Sequence, residues 1–291
     1  MRFLVLIIGL LLTGCATTQN FVETAAITKS RLTFPALAAS ADQSQKTVDH
    51  SAFDNFLSTY LTAPSNAEAP YYGAALLRYA DVSDADKNAL VAYINRLQDV
   101  QVTSLNNDEQ LAFWVNLYNA QTTRVILENY PVDTIRSIKS NVLDFKGPWN
   151  DKTLSVEGET LSLDNIENRI IRPIFDDPRI HYALNCASIG CPNLRRQAYK
   201  GAGLDAVLDA QTRAFINNPR AIRIDEDRVI ASRIFLWFKG DFGGSESAVL
   251  DHIRQYARPE LLESLKGVTK IDAYEYDWDL IDAGGSWIWG E

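Results

Sequence analysis

Apolar side chains recur at helical spacing through the first half of the chain. The pattern predicts one helix over residues 48–61 and a second that follows Ser83, a favourable N-cap, and runs to about Gln98. A third predicted helix opens at residues 107–110 and continues towards Leu127. Because this third helix is apolar almost all the way round, we expect it to lie at the centre of the domain.

The second half of the chain mixes strand patterns with helices. Residues 152–163 and 220–232 each predict a hairpin, and aromatic side chains at period two predict a closing strand over residues 271–280. The apolar run of residues 180–184 is interpreted as a short buried strand. The order of the elements, with helices first and then strands interleaved with helices, indicates a single domain of the α+β or mixed α/β class. We favour α+β.

The N-terminus resembles a bacterial lipoprotein signal. An apolar run too short to span a bilayer follows Arg2, and residues 12–15 (LTGC) form a lipobox. The resemblance implies that Cys15 becomes a lipidated, palmitate-bearing first residue, and that Ala16 directs the protein to the outer membrane. An ordinary signal peptide with an incidental cysteine is the alternative.

The remaining composition predicts a soluble body on a membrane tether. Residues 16–45 are rich in Ala, Thr, Ser and Gln and are predicted to be a flexible tether, which leaves residues 46–291 as the globular domain. The expected partners are a membrane, reached through the N-terminal lipid, and an unknown small molecule or peptide in the periplasm. A net charge of −9 and a pI of about 4.9 argue against nucleic acid as a partner.

Candidate chemistry is concentrated in residues 179–195. This stretch holds His181 and both cysteines of the predicted domain, Cys186 and Cys191. Cys186 is a candidate nucleophile with His181 as its base. In a straight strand, residues five apart lie on opposite faces and about 17 Å from each other, so this pair can meet only if the chain turns. A Cys186–Cys191 disulfide is the alternative in an oxidising compartment.

Glu167 is the candidate carboxylate that would orient the imidazole of His181. A structural role is equally available, because Asp164 and Glu167 have the spacing of a capping box at the start of a helix predicted over residues 165–171. Asp241 is interpreted as a solvated loop residue.

Four further residues are candidates for binding. Asn116 and Asn119 form a polar seam on the third predicted helix, and they either fix neighbouring loop backbone, which we favour, or face the site. Asn185 precedes Cys186, and Arg195 could hold a substrate carboxylate, although surface ion pairs explain such arginines more often.

No metal or cofactor is expected. The spacing of His181, Cys186 and Cys191 matches no standard zinc site. The sequence also lacks a phosphate-binding loop, a dinucleotide-binding glycine pattern, and the nucleophile-elbow and HExxH motifs.

Several segments together resemble one protein family. They are residues 112–120 (AFWVNLYNA), 163–167 (LDNIE), 181–192 (HYALNCASIGCP), 235–237 (FLW) with 241–242 (DF), and 276–280 (YDWDL). The chain is similar over about residues 50–282 to the domain-of-unknown-function family number 547, found in bacterial envelope proteins and in plant proteins. The family name carries no established activity, so the resemblance implies kinship and no particular reaction.

A more distant likeness is to the papain and transglutaminase core, in which a buried helix precedes a strand that begins with histidine. That likeness implies a nucleophilic cysteine at the start of the helix, whereas this chain has no cysteine near residues 107–114. Either Cys186 substitutes from the strand side, or the fold is kept and thiol catalysis is lost.

Two functions follow as hypotheses. The first is a cysteine-dependent hydrolase or transferase in which Cys186, His181 and Glu167 perform acyl transfer or amide hydrolysis on an envelope substrate. The second is a non-catalytic binding or scaffold protein of the cell envelope, with a structural disulfide and a groove for a peptide or a small thiol. The first is slightly favoured because these candidate residues converge in the sequence.

Overall fold

Three helices pack together in the first half of the domain. The computed structural model describes residues 34–64, 71–139 and 147–284, and these helices are α1 (Ser51–Tyr60), α2 (Asp84–Gln98) and α3 (Asn107–Asn129). Ser83 caps α2 as predicted, since its hydroxyl accepts the amide N–H of Asp86.

The central helix is α3, whose side chains are buried without interruption over residues 109–123. Its N-cap is Asn106, which accepts the amide N–H of Glu109. Gln110, in the first turn, is buried and donates its amide to the carbonyl of Ala39. The prediction of a central, buried helix is confirmed, and the helix begins at Asn107, within the predicted range.

The helix that follows the first hairpin changes geometry along its length. It begins as α4 (Leu163–Asn165), continues as a π-helical segment (Ile166–Ile171), and ends as α5 (Arg172–Phe175). In a π-helical turn each backbone hydrogen bond joins residues five apart instead of four, and such turns are frequent at functional sites.

The capping box proposed for Asp164 and Glu167 is wrong. The N-cap is Ser162, whose hydroxyl accepts the amide N–H of Asn165, while the Asn165 side chain accepts the amide N–H of Ser162. Glu167 therefore lies one turn beyond the cap, in the π-helical segment, and has no capping role.

The described part of the second half contains short strands and, after α5, four further α-helices. The helices are α6 (Leu204–Ile216), α7 (Ile234–Trp237), α8 (Glu246–Tyr256) and α9 (Pro259–Ser264). The strands of this half pair antiparallel as β3 (Leu154–Val156) with β4 (Glu159–Leu161) and β5 (Ile222–Asp225) with β6 (Arg228–Ser232), whereas β1 (Leu61–Thr62) and β2 (Leu76–Leu77) form an antiparallel pair in the first half. Both predicted hairpins are confirmed.

The predicted closing strand is shorter than expected. Only β7 (Ala273–Glu275) joins the sheet, parallel to β6. Beyond β7 the chain leaves the sheet because residues 277–281 form hydrogen bonds with residues 187–190 instead.

Residues 180–184 do not form a strand. Pro178–Tyr182 is a 3-10 helix, started by Pro178 in the first turn and by Asp177, whose side chain accepts the amide N–H of Arg179. Ala183 keeps a right-handed helical conformation. The chain therefore turns between His181 and Cys186, as any approach of the two residues would require.

Two main hydrophobic clusters hold these elements together. The larger joins α1, α2 and α3 to the β3–β4 hairpin and to the helix over residues 163–171. The smaller joins α6 and α8 to the β5–β6 hairpin and to Tyr182. Helices and small sheets thus share one body, which confirms the α+β fold class.

Residues 34–45, assigned to the tether, include a part that packs on this body. Leu37 is fully buried within a 3-10 helix (Pro35–Ala38), and the amide N–H of Ala41 donates to the carbonyl of Leu105. The predicted signal peptide, the lipidated Cys15 and the rest of the tether lie outside the described residues. Within the described segments, no helix combines the length and the apolar character needed to cross a bilayer.

Candidate functional site

A disulfide joins Cys186 and Cys191 and closes a short loop. The two sulfur-bearing residues differ in exposure, since Cys186 is partly exposed whereas Cys191 is only 2% exposed. The backbone N–H of Cys186 donates to Sγ of Cys191 at 3.0 Å. Cys186 therefore has no free thiol in this state, and it is the half of the disulfide that faces solvent.

The disulfide loop lies edge to edge against the chain that follows β7. The amide N–H of Ile189 donates to the carbonyl of Asp279, and that of Gly190 donates to the carbonyl of Asp277, both at 2.8 Å. Glycine is needed at position 190 because an added Cβ would come 2.9 Å from ring carbons of Tyr276. This close approach brings the Tyr276 side chain onto the disulfide.

The hydroxyl of Tyr276 contacts both sulfurs. Its oxygen lies 3.1 Å from Sγ of Cys186, 3.0 Å from Sγ of Cys191 and 2.9 Å from Oγ of Ser188. The hydroxyl of Ser188 lies 3.3 Å and 3.4 Å from the same two sulfurs. Burial raises the pKa of Tyr276 above its usual range, so the phenol keeps its proton and can donate it in a hydrogen bond.

Asn185 and Asn119 brace the disulfide loop from within the protein. The side chain of Asn185 accepts the amide N–H of Ala187 at 2.8 Å and donates to the carbonyl of Pro192 at 2.7 Å. Asn119 in turn accepts the amide N–H of Asn185 and donates to the carbonyl of Ala183, both at 2.9 Å. Both asparagines were candidates for ligand binding, but their buried amides hold backbone.

The backbone conformation of Ala187 explains why the disulfide loop needs the hydrogen bonds of Asn185. The φ angle of Ala187 is +63°, in the left-handed region that alanine rarely adopts and that costs free energy for a residue with a Cβ. The hydrogen bond from its amide to Asn185 keeps the strained turn in place between the two cysteines.

The other two candidate binding residues lie elsewhere. Asn116 exchanges two hydrogen bonds with the backbone of Tyr199, at 2.8 Å and 2.9 Å. The guanidinium of Arg195 lies 5.0 Å from the Tyr199 ring and donates to the carbonyl of Ala198. Both residues support the chain at residues 198–199, and neither contacts the disulfide.

His181 is paired with a carboxylate other than the one predicted. Its Nε2 lies 2.8 Å from Oδ2 of Asp241, and its ring stacks on Phe238 with 4.0 Å between centroids. Asp241 also accepts two hydrogen bonds from the guanidinium of Arg172, at 2.6 Å and 2.9 Å. Burial lowers the pKa of His181 despite the opposing effect of Asp241, which favours the neutral ring.

The proposed grouping of Cys186, His181 and Glu167 is therefore not assembled as expected. The polar contacts of Cys186 go to Cys191, Ser188 and Tyr276, while His181 is oriented by Asp241. The interpretation of Asp241 as a solvated loop residue is wrong. The physical reason is the 3-10 turn, which directs the imidazole towards the loop after α7 instead of along a strand.

Glu167 occupies a separate, partly buried position near Tyr276. The hydroxyl of Tyr118 donates to its Oε2 at 3.0 Å. Burial raises the pKa of Glu167 to about 7, although the charge of Arg172 and the hydrogen bond from Tyr118 act in the opposite direction. The charge of Glu167 also contributes to the raised pKa of Tyr276, so the two side chains are electrostatically coupled.

An aromatic patch adjoins the disulfide and consists of Trp149, Trp237, Tyr276 and Trp278, all partly exposed. The ring of Tyr276 lies 4.7 Å from that of Trp237 and 4.6 Å from that of Trp278, centroid to centroid. Trp149 lies 5.9 Å from Trp278, and the guanidinium of Arg136 lies 4.9 Å from the Trp278 ring.

Arg220 supports the disulfide loop by donating hydrogen bonds to carbonyl groups of the loop. Its guanidinium donates to the carbonyls of Ile189 and Cys191, at 2.7 Å and 3.1 Å, and to the side chain of Asn193 at 2.8 Å. Burial lowers the pKa of Arg220 to about 10, which still leaves it charged at neutral pH. In the part of the chain that the structure describes, no group of three or more His, Cys, Asp or Glu side chains could hold a metal ion.

Two partners that come from distant segments could not be predicted from the sequence, Tyr276 beside the disulfide and Asp241 beside His181. Tyr276 is 90 positions from Cys186, and Asp241 is 60 positions from His181. The segments that contain Tyr276 and Asp241 did belong to the motifs that carried the family resemblance. A motif shows that a segment matters, but it does not show which side chain meets which.

Comparison with known proteins identifies the family of the central segment. The sequence model of a family described as "Protein of unknown function, DUF547" matches residues 102–216, which contain α3, Glu167, His181 and the disulfide. No curated protein and no solved structure matches the chain. The likeness to the papain and transglutaminase core stays a prediction.

Proposed function

Because residues 102–216 place this chain in the DUF547 family, whose name carries no activity, we propose a function from the geometry of the site. We propose that the protein is a thiol–disulfide exchange protein of the cell envelope, with Cys186–Cys191 as the exchanging disulfide. One observation carries the proposal: the sulfurs of a partly exposed cysteine and a buried cysteine are both within hydrogen-bond distance of the Tyr276 hydroxyl.

The difference in exposure determines which sulfur is attacked. Exchange requires a thiolate to approach one sulfur of the disulfide, and the other sulfur is the leaving group. Cys186 is the accessible half and Cys191 the enclosed half. An incoming thiol therefore forms its bond to Cys186.

The leaving sulfur lies among hydrogen-bond donors. The backbone N–H of Cys186 and the hydroxyl of Tyr276 are each 3.0 Å from Sγ of Cys191, and the hydroxyl of Ser188 is 3.4 Å away. Hydrogen bonds to a charged group are stronger than those to a neutral one, so these donors favour Cys191 leaving as a thiolate.

The exchange is balanced without a further cofactor. A substrate thiolate attacks Sγ of Cys186, the bond from Cys186 to Cys191 breaks, and the electron pair leaves on Sγ of Cys191. A second substrate thiolate then attacks the mixed disulfide and releases Cys186 as a thiolate. Two thiols become one disulfide, and the protein gains two electrons with the protons that its thiolates take up.

The setting proposed for this reaction is the periplasmic side of the outer membrane. The lipobox at residues 12–15 supports lipid attachment at Cys15. An exchange protein in that compartment meets secreted proteins while their disulfides form and rearrange.

The test is the reactivity of the folded protein. We would incubate the oxidised full-length protein in detergent at neutral pH with dithiothreitol or N-acetylcysteine, trap free thiols with a maleimide, and assign them by peptide mass mapping. We expect the disulfide to open while far-ultraviolet circular dichroism and tryptophan fluorescence still report a folded chain. A disulfide that opens only when urea unfolds the protein would falsify the proposal.

Two single-cysteine variants make that test specific. In Cys191→Ser, we expect N-acetylcysteine disulfide to be exchanged rapidly onto Cys186. In Cys186→Ser, the remaining thiol belongs to the buried Cys191, and we expect slow exchange. Equal rates in the two variants would contradict the assignment of Cys186 as the attacked sulfur.

A second candidate is a binding or scaffold protein with a purely structural disulfide. Its support is the dense bracing of the loop by Asn185 and Arg220, which resembles a rigid framework. It predicts that the disulfide resists thiols in the folded state and that removing both cysteines costs about 2 kcal/mol, as expected for a short loop. Acyl transfer is less well supported, because Cys186 is held in the disulfide and its polar contacts go to Cys191, Ser188 and Tyr276 instead of His181.

A further inference from the structure

The aromatic patch is continuous with the sulfur that an incoming thiol must reach. Tyr276 links the patch to the disulfide, since its hydroxyl contacts Sγ of Cys186 while its ring contacts Trp237 and Trp278. A molecule that brings a thiolate to Cys186 therefore arrives beside these rings.

We infer that this aromatic patch is the substrate-binding surface of the exchange site, and that it selects cysteine-containing peptides with an aromatic or large apolar side chain next to the cysteine. The inference rests on the proposed function and adds the class of substrate to it.

The arrangement of the rings fits the binding of a flat apolar side chain. Trp237, Tyr276 and Trp278 are tilted against one another by 37° to 56°, with 4.6 Å to 5.6 Å between centroids. Tilted rings at such distances leave both faces and edges for a further ring, and aromatic contacts add to the free energy of burying apolar area. The three side chains are partly exposed, so they retain apolar area that a ligand can cover.

Polar groups at the patch suit a peptide better than a bare hydrocarbon. The indole N–H of Trp237 is buried without a hydrogen-bond partner in the described part of the chain, so it is a donor left for a peptide carbonyl or a water to satisfy. The guanidinium of Arg136 lies over Trp278 and can donate to a carbonyl of the peptide or pack against a ring.

A small hydrophilic thiol would use little of this surface. Such a molecule reaches Cys186 but covers no ring, so its rate depends only on the disulfide and its donors. A peptide with an aromatic neighbour gains contact with the patch in addition. The two kinds of substrate therefore separate the role of the patch from the role of the disulfide.

The experiment compares two peptides of equal charge on the full-length oxidised protein. The peptides are acetyl-Gly-Gly-Cys-Gly-Gly-amide and acetyl-Gly-Gly-Cys-Phe-Gly-amide, and the second-order rate of disulfide opening is measured for each, with dithiothreitol as a third substrate. We expect the phenylalanine peptide to react about tenfold faster than the glycine peptide. In Trp278→Ala we expect this preference, taken as the ratio of the two peptide rates in the same variant, to fall to about twofold or less.

The control substitution is Tyr72→Ala, which removes an exposed aromatic side chain outside the patch and should leave the preference intact. If dithiothreitol opens the disulfide of the folded protein but the two peptides react at equal rates, the inference about the patch is overturned and the proposed exchange function stands. If dithiothreitol also fails, the proposed function itself is wrong. Because the peptide comparison uses the unmodified protein, it decides the matter even where a tryptophan variant does not fold.

Discussion

The phenol oxygen of Tyr276 lies 3.1 Å from Sγ of Cys186, although 90 positions separate the two residues in the chain. The contact exists because the chain after β7 pairs with the disulfide loop, and because Gly190 leaves room for the ring. The same hydroxyl reaches Cys191, so one side chain can influence both sulfurs during exchange.

Replacing Tyr276 by phenylalanine should slow the opening of the disulfide. Tyr276→Phe keeps the ring in the aromatic patch but removes a donor to the leaving sulfur. A hydrogen bond to a charged group contributes about 1.5 kcal/mol or more, which corresponds to about a tenfold lower rate. The measurement is the rate of maleimide-trapped thiol formation in dithiothreitol at pH 7.

The matched control for this variant is Tyr274→Phe, on β7 two residues earlier and also partly exposed. It should leave the rate within about twofold of the unmodified protein, since no contact links its hydroxyl to the disulfide in the described residues. Equal rates in Tyr276→Phe and Tyr274→Phe would show that the phenol does not assist exchange.

Removing the carboxylate of Asp241 should destabilise the fold strongly. Asp241→Asn leaves the guanidinium of Arg172, whose side chain is 2% exposed, without its charged partner. Leaving one member of a buried ion pair unpaired costs about 3–5 kcal/mol. Urea unfolding at pH 7, followed by circular dichroism, should show a loss of that size in the free energy of unfolding.

An exposed ion pair provides the control for the effect of Asp241→Asn on stability. Arg223 and Glu275 are 3.1 Å apart, with side chains 46% and 58% exposed, so Glu275→Gln should change the free energy of unfolding by about 0.5 kcal/mol or less. In the double variant Arg172→Met with Asp241→Asn, much of the stability should return because no unpaired charge remains. A double variant as unstable as Asp241→Asn alone would contradict this account.

The bracing of the disulfide loop by Asn185 should also be measurable. Asn185→Ala leaves the amide of Ala187 and the carbonyl of Pro192 without their partners, which we expect to cost about 2 kcal/mol. Asn129→Ala, at the exposed end of α3, should cost about 0.5 kcal/mol or less. If the two variants unfold at the same urea concentration, the brace contributes nothing.

The pattern of apolar and polar residues predicts a helix or hairpin correctly where the residues of that element determine its structure. The periodicity over α1, α2 and α3 and the turns of both hairpins are local features, and all of these elements form as predicted. The run at residues 180–184 misled because a short apolar stretch fits a buried strand and a buried helical turn equally well. Asp177 as N-cap and Pro178 in the first turn favour the 3-10 helix over a strand.

The location of the candidate site could also be predicted, but its partners could not. His181, Cys186 and Cys191 are reactive residue types in one short segment, so the sequence alone points to that segment. The pairing of His181 with Asp241 and of Cys186 with Tyr276 depends on where distant segments pack. Those contacts arise from the tertiary fold, and no spacing in the chain encodes them.

The raised pKa of Glu167 makes a prediction about stability and pH. Burial raises the pKa of this carboxyl from its ordinary value of 4.5 to about 7. The folded protein therefore holds the Glu167 proton more tightly than the unfolded chain does. The stabilisation from this proton is complete below pH 4.5, is lost as the pH rises towards 7, and changes no further above about pH 7.

Glu167→Gln removes this dependence, because glutamine does not ionise and can still accept the hydrogen bond from Tyr118. The stability of the variant relative to the unmodified protein should rise by about 2 kcal/mol between pH 5 and pH 8, a value reduced from the full shift because Glu167 is partly exposed. Urea unfolding at pH 5, 6, 7 and 8 measures the difference, and titrations of other groups cancel between the two proteins. A difference that stays constant with pH for Glu167→Gln would mean that its carboxyl is not held in an environment that disfavours its charge.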